Sequence, residues 1–376
     1  MSEASPGIVQ HMSHHGWRGK LKVILYCLLP TVTIVCLAET IVRVGGFDKP
    51  LAGSIFFGNP GSEDAIHQSD AALFYSLKPN IRATWQGGTV TTNELGLRCP
   101  EIGPKQAHEY RILSLGESST FGARVEDDQT YSAQLEMLLN VGHLQQQYKV
   151  INAGVSGYTS FQSLKYLETR GLSLQPDLVL FYHEQNDVLP TPYSDREIYE
   201  SRSHGWHRSL AEFSAVYRVI SNAVARHRIE SLRREVETPA LAAAGASDGF
   251  AQIDGGLDYP SERTRVSVAE RLENLDRLVD LCRTNHVQLV VIHPTYADST
   301  RHFCELTEFC EGKGVAMYEA YDALHPVGVG VHECFADECH PNQQGHEALA
   351  KGLYEFLTSA QCLPGEEQNS NDIGVE

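Results

Sequence analysis

The stretch "RILSLGESSTFG", residues 111–122, decides how the rest of the chain is read. It passes from apolar, strand-like residues straight into Gly116, Glu117, two serines, Thr120 and Gly122. A serine at that place has two readings. It can be the N-cap of a following helix, its oxygen accepting a backbone N–H. It can instead be a nucleophile held at the mouth of a parallel sheet, where glycines on either side permit a tight turn. A nucleophile of this kind needs a base.

Outward from this stretch the pattern alternates. "YRILSLG" (110–116), "YKVINAG" (148–154), "PDLVLFYHEQND" (176–187) and "VQLVVIHP" (287–294) read as strands, with a weaker one near 315–321. Between them, "TYSAQLEMLLN" (130–140), "SFQSLKYLETRG" (160–171) and 263–285 carry helical periodicity, and "PNQQGHEALAKGLYEFL" (341–357) closes the series. Short apolar strands alternating with helices predict an α/β fold whose parallel sheet is covered on both faces. Ligands then sit at the carboxyl ends of the strands, here 116–122, 154–160 and 183–187. Upstream, "ATWQGGTVTTNELGLR" (83–98) predicts a β-hairpin around Gly87-Gly88. Residues 207–235 read as a basic helical segment forming a solvated face or a lid, and 238–260 as a small-residue linker or loop.

A base is available in "DECHPN" (337–342). Asp337 and His340, three residues apart just ahead of the last helix, allow the carboxylate to hold one ring nitrogen while the other faces Ser118. Oxyanion donors would be the Ser118 N–H, a glycine N–H in "NAGVSGYTS" (152–160) and the amide of Asn186. Each piece alone has a commonplace reading: an N-cap serine, a surface Asp-His pair, an Asn-Asp turn. Their order, and their shared place at strand ends, favours the chemistry. His183 and His293 are expected to be satisfied core or rim histidines and His346 an exposed one. Asp187 is expected to fix its turn, and Tyr158 and Tyr182 to pack.

"GESSTFG", "NAGVSGYTS", "HEQND" and "DECHPN", in this order, resemble the four signature blocks of the SGNH (GDSL-like) esterase and acetylhydrolase superfamily over roughly residues 90–358. The resemblance implies a flavodoxin-like three-layer α/β/α sandwich acting on acyl or acetyl esters without a metal or other cofactor. It implies Ser118 as nucleophile, His340 as general base, Asp337 as its orienter, and Ser118, Gly157 and Asn186 as the oxyanion hole. Two positions depart from the usual pattern. Glu117 stands where the family has Asp, and Glu184 where it has Gly. A carboxylate at 184 opposes the negative charge that develops in the reaction unless it is paired or turned away. The lead-in "TTNELGLRCPE" (91–101) resembles membrane-anchored bacterial members.

An anchor is legible independently. Residues 23–42, "VILYCLLPTVTIVCLAETIV", form an apolar run of bilayer-spanning length, with Arg18, Lys20 and Lys22 before it and only Arg43 and Lys49 soon after. That bias places 1–22 in the cytoplasm and the rest outside, in the periplasm of a bacterial cell. A cleaved signal peptide, with "CLA" at 36–38 as its site, and a buried core helix are the rivals. The scheme that follows is an anchor at 23–42, a β-rich lead-in at 43–109, the hydrolase domain at 110–358 and a disordered acidic tail at 359–376.

The formal net charge of −18 argues against nucleic acid or an anionic membrane surface as a partner, because both would repel it. Of nine cysteines, seven lie beyond the apolar run, so at least one thiol is free or pairs between chains. Cys334 and Cys339, flanking the approach to His340, are the expected pair. Zinc is the weaker reading, since Cys304/Cys310 and Cys334/Cys339 are spaced more widely than tight structural pairs. A membrane-tethered esterase of an acylated glycan or lipid leads. An O-acyltransferase using the same triad and a weakly active binding scaffold remain as alternatives.

Overall fold

The computed structural model describes residues 15–47, 66–70, 72–141, 146–189, 191, 194–203, 210, 213–220, 223–224, 227, 264–297, 304–328, 330 and 333–364. Residues 1–14, most of 207–235, the expected linker at 238–260 and tail residues 365–376 lie outside the described residues. The chain forms two compact units, one of residues 1–50 with 204–225 and one of the remainder.

The larger unit opens with two antiparallel hairpins, β1 (His67–Asp70) with β2 (Phe74–Leu77), and β3 (Arg82–Trp85) with β4 (Gly88–Thr91). The second is the expected one. Trp85 pairs with Gly88, and Gln86 and Gly87 turn the chain at φ 48° and 90°, the left-handed geometry that two-residue hairpins prefer. The first hairpin has no glycine or asparagine signal in "DAALF". There Asp70 makes the turn, its Oδ1 accepting from the N–H groups of Ala72 and Leu73, both at 3.0 Å.

The main sheet follows: β5 (Glu109–Gly116), β6 (Gln147–Asn152), β7 (Leu178–Tyr182), β8 (Gln288–His293) and β9 (Ala316–Glu319). All neighbouring pairs are parallel, in the order β6-β5-β7-β8-β9. This is the flavodoxin-like 2-1-3-4-5 order, whose ligand crevice lies where the winding reverses beside the first strand. Side chains alternate across the sheet as period two requires. Ile112, Leu178, Leu180, Val290 and Ile292 join one core with α3 (Tyr131–Asn140, after the short α2, Ser118–Phe121) and α9 (Gln343–Ser359). Leu113, Leu115, Val179, Phe181 and Val291 join the other with α4 (Ser160–Thr169) and α6 (Val268–Thr284). Further helices among the described residues include α1 (His15–Gly45), α5 (Asp195–Ser203), α7 (Cys304–Lys313) and α8 (Tyr321–Leu324). The α/β sandwich expected from the alternation is the observed fold.

The lead-in does more than cover the sheet. Arg98 is buried, and its guanidinium meets Asp127 Oδ1 at 2.9 Å and the carbonyls of Phe121, Gly122, Val125 and Thr89. One cation thus gathers the carbonyls of the loop that follows Ser118. Close approach is needed as well: a Cβ at Gly88 would lie 2.3 Å from the Val125 carbonyl oxygen.

In the smaller unit, α1 is a single helix through Pro30. Its Leu28–Gly45 portion, with mean hydropathy 1.6, is long and apolar enough to cross a membrane, as a span or as a signal sequence.

Candidate active site

Ser118 begins α2 directly after β5, and its hydroxyl caps nothing. The capping position belongs to Glu117, which makes no side-chain capping bond. Ser118 Oγ lies instead 2.8 Å from His340 Nε2, and His340 Nδ1 lies 2.8 Å from each carboxylate oxygen of Asp337. A carboxylate facing Nδ1 fixes the proton there and leaves the Nε2 lone pair toward the serine. Asp337 Oδ1 also accepts from the N–H groups of His340 (2.9 Å) and Cys339 (3.1 Å), and Arg124 Nε approaches Oδ2 at 3.1 Å. Burial alone would raise this carboxyl. The His340 contacts and the two N–H groups outweigh it and hold Asp337 well below the usual carboxylate range.

Tight packing brings these pieces together. A Cβ at Gly116 would meet Thr120 Oγ1 at 2.0 Å, and one at Gly154 would meet the Phe121 nitrogen at 2.3 Å. Both sites therefore need glycine for space alone. The His340 turn is pinned by a bridge between Phe335 and Pro341 and by Asn342, which caps α9 by accepting from the Gly345 N–H at 3.0 Å. Ser119 Oγ donates to the Cys339 carbonyl at 3.3 Å, tying the serine turn to the histidine turn.

Residues 114–348 match the model of the GDSL-like Lipase/Acylhydrolase family. The chain belongs to that family. It is by that membership a hydrolase of ester bonds. No curated protein matches the chain. Among solved structures, the GDSL-like chain is similar to Axe2, an acetylxylan esterase from Geobacillus stearothermophilus, at 15% identity over 66% of this chain and 94% of that one, with TM-score 0.40. It is similar to TesA at 15% identity, covering 66% of this chain and 98% of that one, with TM-score 0.40. LAE5, an alpha/beta hydrolase enzyme from the metagenome of Lake Arreo, Spain, is 16% identical over 68% of this chain and 97% of that one, with TM-score 0.42. Membership rests on the family match.

Around the serine of this GDSL-like hydrolase, the other expected residues are placed as follows. Gly157 sits at φ 81°, and its carbonyl accepts from Arg265 Nη1 at 2.8 Å. Asn186 Nδ2 donates to Glu117 and, at 3.1 Å, to the Tyr158 carbonyl, which engages both amide hydrogens. Glu117 is buried and gathers the 184–186 turn through the N–H groups of Glu184 (3.4 Å), Gln185 (3.2 Å) and Asn186 (3.1 Å). Glu184 is paired: the Tyr296 hydroxyl donates to it at 2.8 Å and Arg271 Nη1 stands 4.0 Å away. Asp187 does fix its turn, accepting from the Ser160 N–H at 2.8 Å and from Arg271 Nε at 2.9 Å.

Burial and the nearby Asp187 push Glu117 up to about 8, against the pull of the turn N–H groups. A folded-state value above the ordinary 4.5 means that the native state holds a proton the unfolded chain has already released. The stabilisation is complete below pH 4.5 and is lost as pH rises to about 8. Glu117→Gln should therefore remove a fall of up to about 1.4 kcal/mol per pH unit across that window. Denaturant midpoints of both proteins measured from pH 4 to about 9 check it. Parallel curves would mean that Glu117 is ionised throughout.

Three sequence expectations change or sharpen. His346 is fully buried, not exposed; Tyr131 N–H donates to its Nδ1 at 3.1 Å, and burial lowers it to about 3. Cys334 and Cys339 are unbonded, not a disulfide. Cys334 packs into the α3/α9 core, while the Cys339 sulfur turns toward Asp337 (3.7 Å) and His340 (3.4 Å). Cys310 lies in the opposite core from Cys334, so the expected pairs do not converge on one zinc. Among the described residues Asp337, Cys339 and His340 do offer oxygen, sulfur and nitrogen within 4.8 Å of one another, but the carboxylate already faces the imidazole and Arg124. His183 is a buried core histidine but only half satisfied: its Nε2 lies 2.7 Å from Ser163 Oγ, its Nδ1 is buried without a hydrogen-bond partner among the described residues, and burial lowers it to about 3.

Arg265 was not foreseen. It is buried with Asp195, bonding its carboxylate at 3.0 Å and Gln162 Oε1 at 3.0 Å besides the Gly157 carbonyl. The Arg265 N–H also bonds the Leu189 carbonyl at 2.9 Å, joining the chain on either side of residues 190–263. Its only sequence signal is its place at the end of a long insertion.

Proposed function

We propose that this chain is a membrane-tethered serine esterase, facing out of the cytoplasm, that removes acyl or O-acetyl groups from a glycan or lipid. The observation that carries the reading is the unbroken Asp337–His340–Ser118 relay, with both links at 2.8 Å. Ser118 Oγ attacks the ester carbonyl as His340 Nε2 takes its proton, and the Asp337 carboxylate stabilises the imidazolium so formed. His340 then returns the proton to the leaving alkoxide. A water attacks the acyl-serine in the second half, again with His340 as base, and releases the acid.

The negative oxygen of each tetrahedral intermediate is met by the Ser118 and Gly157 N–H groups and by Asn186. Because the Asn186 amide already serves Glu117 and Tyr158, it must exchange one partner for the oxyanion. Its contribution is the difference between two hydrogen bonds. Asn186→Ala should therefore lower kcat by about 10², the lower end for such a donor, at nearly constant KM. A raised KM at unchanged kcat would make Asn186 a substrate-binding residue. Turnover of a p-nitrophenyl ester series by the full chain in detergent tests the reading as a whole; an inert enzyme across the series would sink it.

The tether follows from α1 and the basic residues before it, Arg18, Lys20 and Lys22. A reporter fused after residue 60 should be active only outside the cytoplasm. The pairing of Glu184 with Tyr296 removes the feature that most favoured an inactive scaffold.

A further inference from the structure

Glu39 and Arg43 lie one turn apart near the end of α1, and both bond a segment far along the chain. The Arg43 guanidinium donates to the Phe213 carbonyl. The Glu39 carboxylate accepts from Ser214 Oγ at 3.1 Å, from the Ala215 N–H, and from the Val216 N–H at 3.1 Å. Those N–H groups open the helical stretch 215–220, whose first turn is also capped by Ser214 Oγ accepting from Tyr217 N–H at 3.1 Å. A carboxylate at a helix start satisfies N–H groups that lack partners within the helix. The contact therefore fixes a second helical segment at the level where α1 ceases to be apolar.

What that segment presents is unusual for a surface in water. Phe213 is 77% exposed, Ile220 57% and Val224 55%, and at the same end of α1 Val44 is 84% exposed. Clustered exposure of large apolar side chains marks an interaction surface. Two observations select lipid as its occupant. The segment is bonded to α1, on which Leu28, Leu29, Val32, Ile34, Val35, Leu37 and Ile41 are all exposed. The charge also reverses locally: residues 207–235 carry six arginines against three glutamates, in a chain whose net charge is −18. Exposed apolar side chains in a segment of cationic sequence suit the headgroup region of an anionic bilayer.

We infer that the segment carrying Phe213, Ile220 and Val224 lies in the membrane–water interface beside the end of α1, with these three side chains among the lipid chains. The inference rests on reading α1 as a membrane span. On it, the tether is an upright helix with an interfacial foot locked on by Glu39 and Arg43.

The test uses the full chain in vesicles of phosphatidylethanolamine and phosphatidylglycerol. A photo-crosslinking residue, p-benzoylphenylalanine, replaces Phe213, Ile220, Leu28 or Met137 one at a time. Met137, 62% exposed on α3, is the water-facing control. Unchanged thermal unfolding shows that each variant is folded. Lipid adducts at 28, 213 and 220 with none at 137 are expected. Lipid at 28, with only protein adducts or none at 213 and 220, overturns the interfacial foot and leaves the anchor standing. An absence of lipid at 28 overturns the anchor reading, and the foot with it.

Discussion

Ser118→Ala lowers kcat by on the order of 10⁶ and leaves only background hydrolysis, as removal of a nucleophile does in a relay of this type. The residual rate comes from binding and the oxyanion donors, which the substitution leaves in place. His340→Ala costs about as much, and the double variant Ser118→Ala, His340→Ala is no worse than either alone. Non-additivity is the informative part. Ser118 Oγ and His340 Nε2 are 2.8 Å apart and, in the proposed mechanism, share one proton transfer, so removing either should abolish the same step. Multiplicative losses would show that the two residues act in separate steps. Retained turnover in Ser118→Ala would remove the nucleophile from Ser118 altogether.

Asp337→Asn lowers kcat by about 10⁴, less than loss of the nucleophile. The carboxylate does not take the serine proton; it sets which nitrogen of His340 carries one. An amide at 337 can donate to Nδ1, which places the imidazole proton on Nε2, facing the serine with nothing to accept. The amide keeps one oxygen for the His340 and Cys339 N–H groups but removes the anion facing Arg124. A loss below about tenfold would mean that the turn from Cys334 to Asn342 orients His340 without Asp337, against the role assigned by the usual triad. Unfolding curves of the variant separate loss of orientation from loss of the turn.

Much of the fold was legible because the strands are short, apolar and regularly interrupted by helices. Ile112 and Leu113 show why: adjacent residues in β5 enter opposite cores, so a strand covered on both faces must be apolar throughout. The candidate serine was legible at the end of β5, and the candidate aspartate and histidine just ahead of the last helix, because they follow one another in a recognisable order. Arg98 and Arg265 were not, since a buried arginine that collects backbone carbonyls has no local pattern. Nor was the Asp70 turn, made by a side chain and not by glycine. His346 could have been found. It precedes Leu349, Ala350, Leu353 and Leu357 at helical spacing, on the stripe that α9 buries against the sheet. Its polarity suggested exposure; its period did not.

The two ends of the relay are 222 residues apart in the chain. Ser118 leaves the first strand of the main sheet, while His340 waits at the mouth of the last helix, which docks beside α3. A ribosome makes these ends in order, and closing so long a loop is slow compared with forming the local hairpins and helices. The serine turn can form early, but its base arrives only when nearly the whole hydrolase sequence has emerged and α9 has found its place. On the proposed mechanism, an unfinished chain therefore holds a hydroxyl without its base, and activity has to wait for α9 to dock.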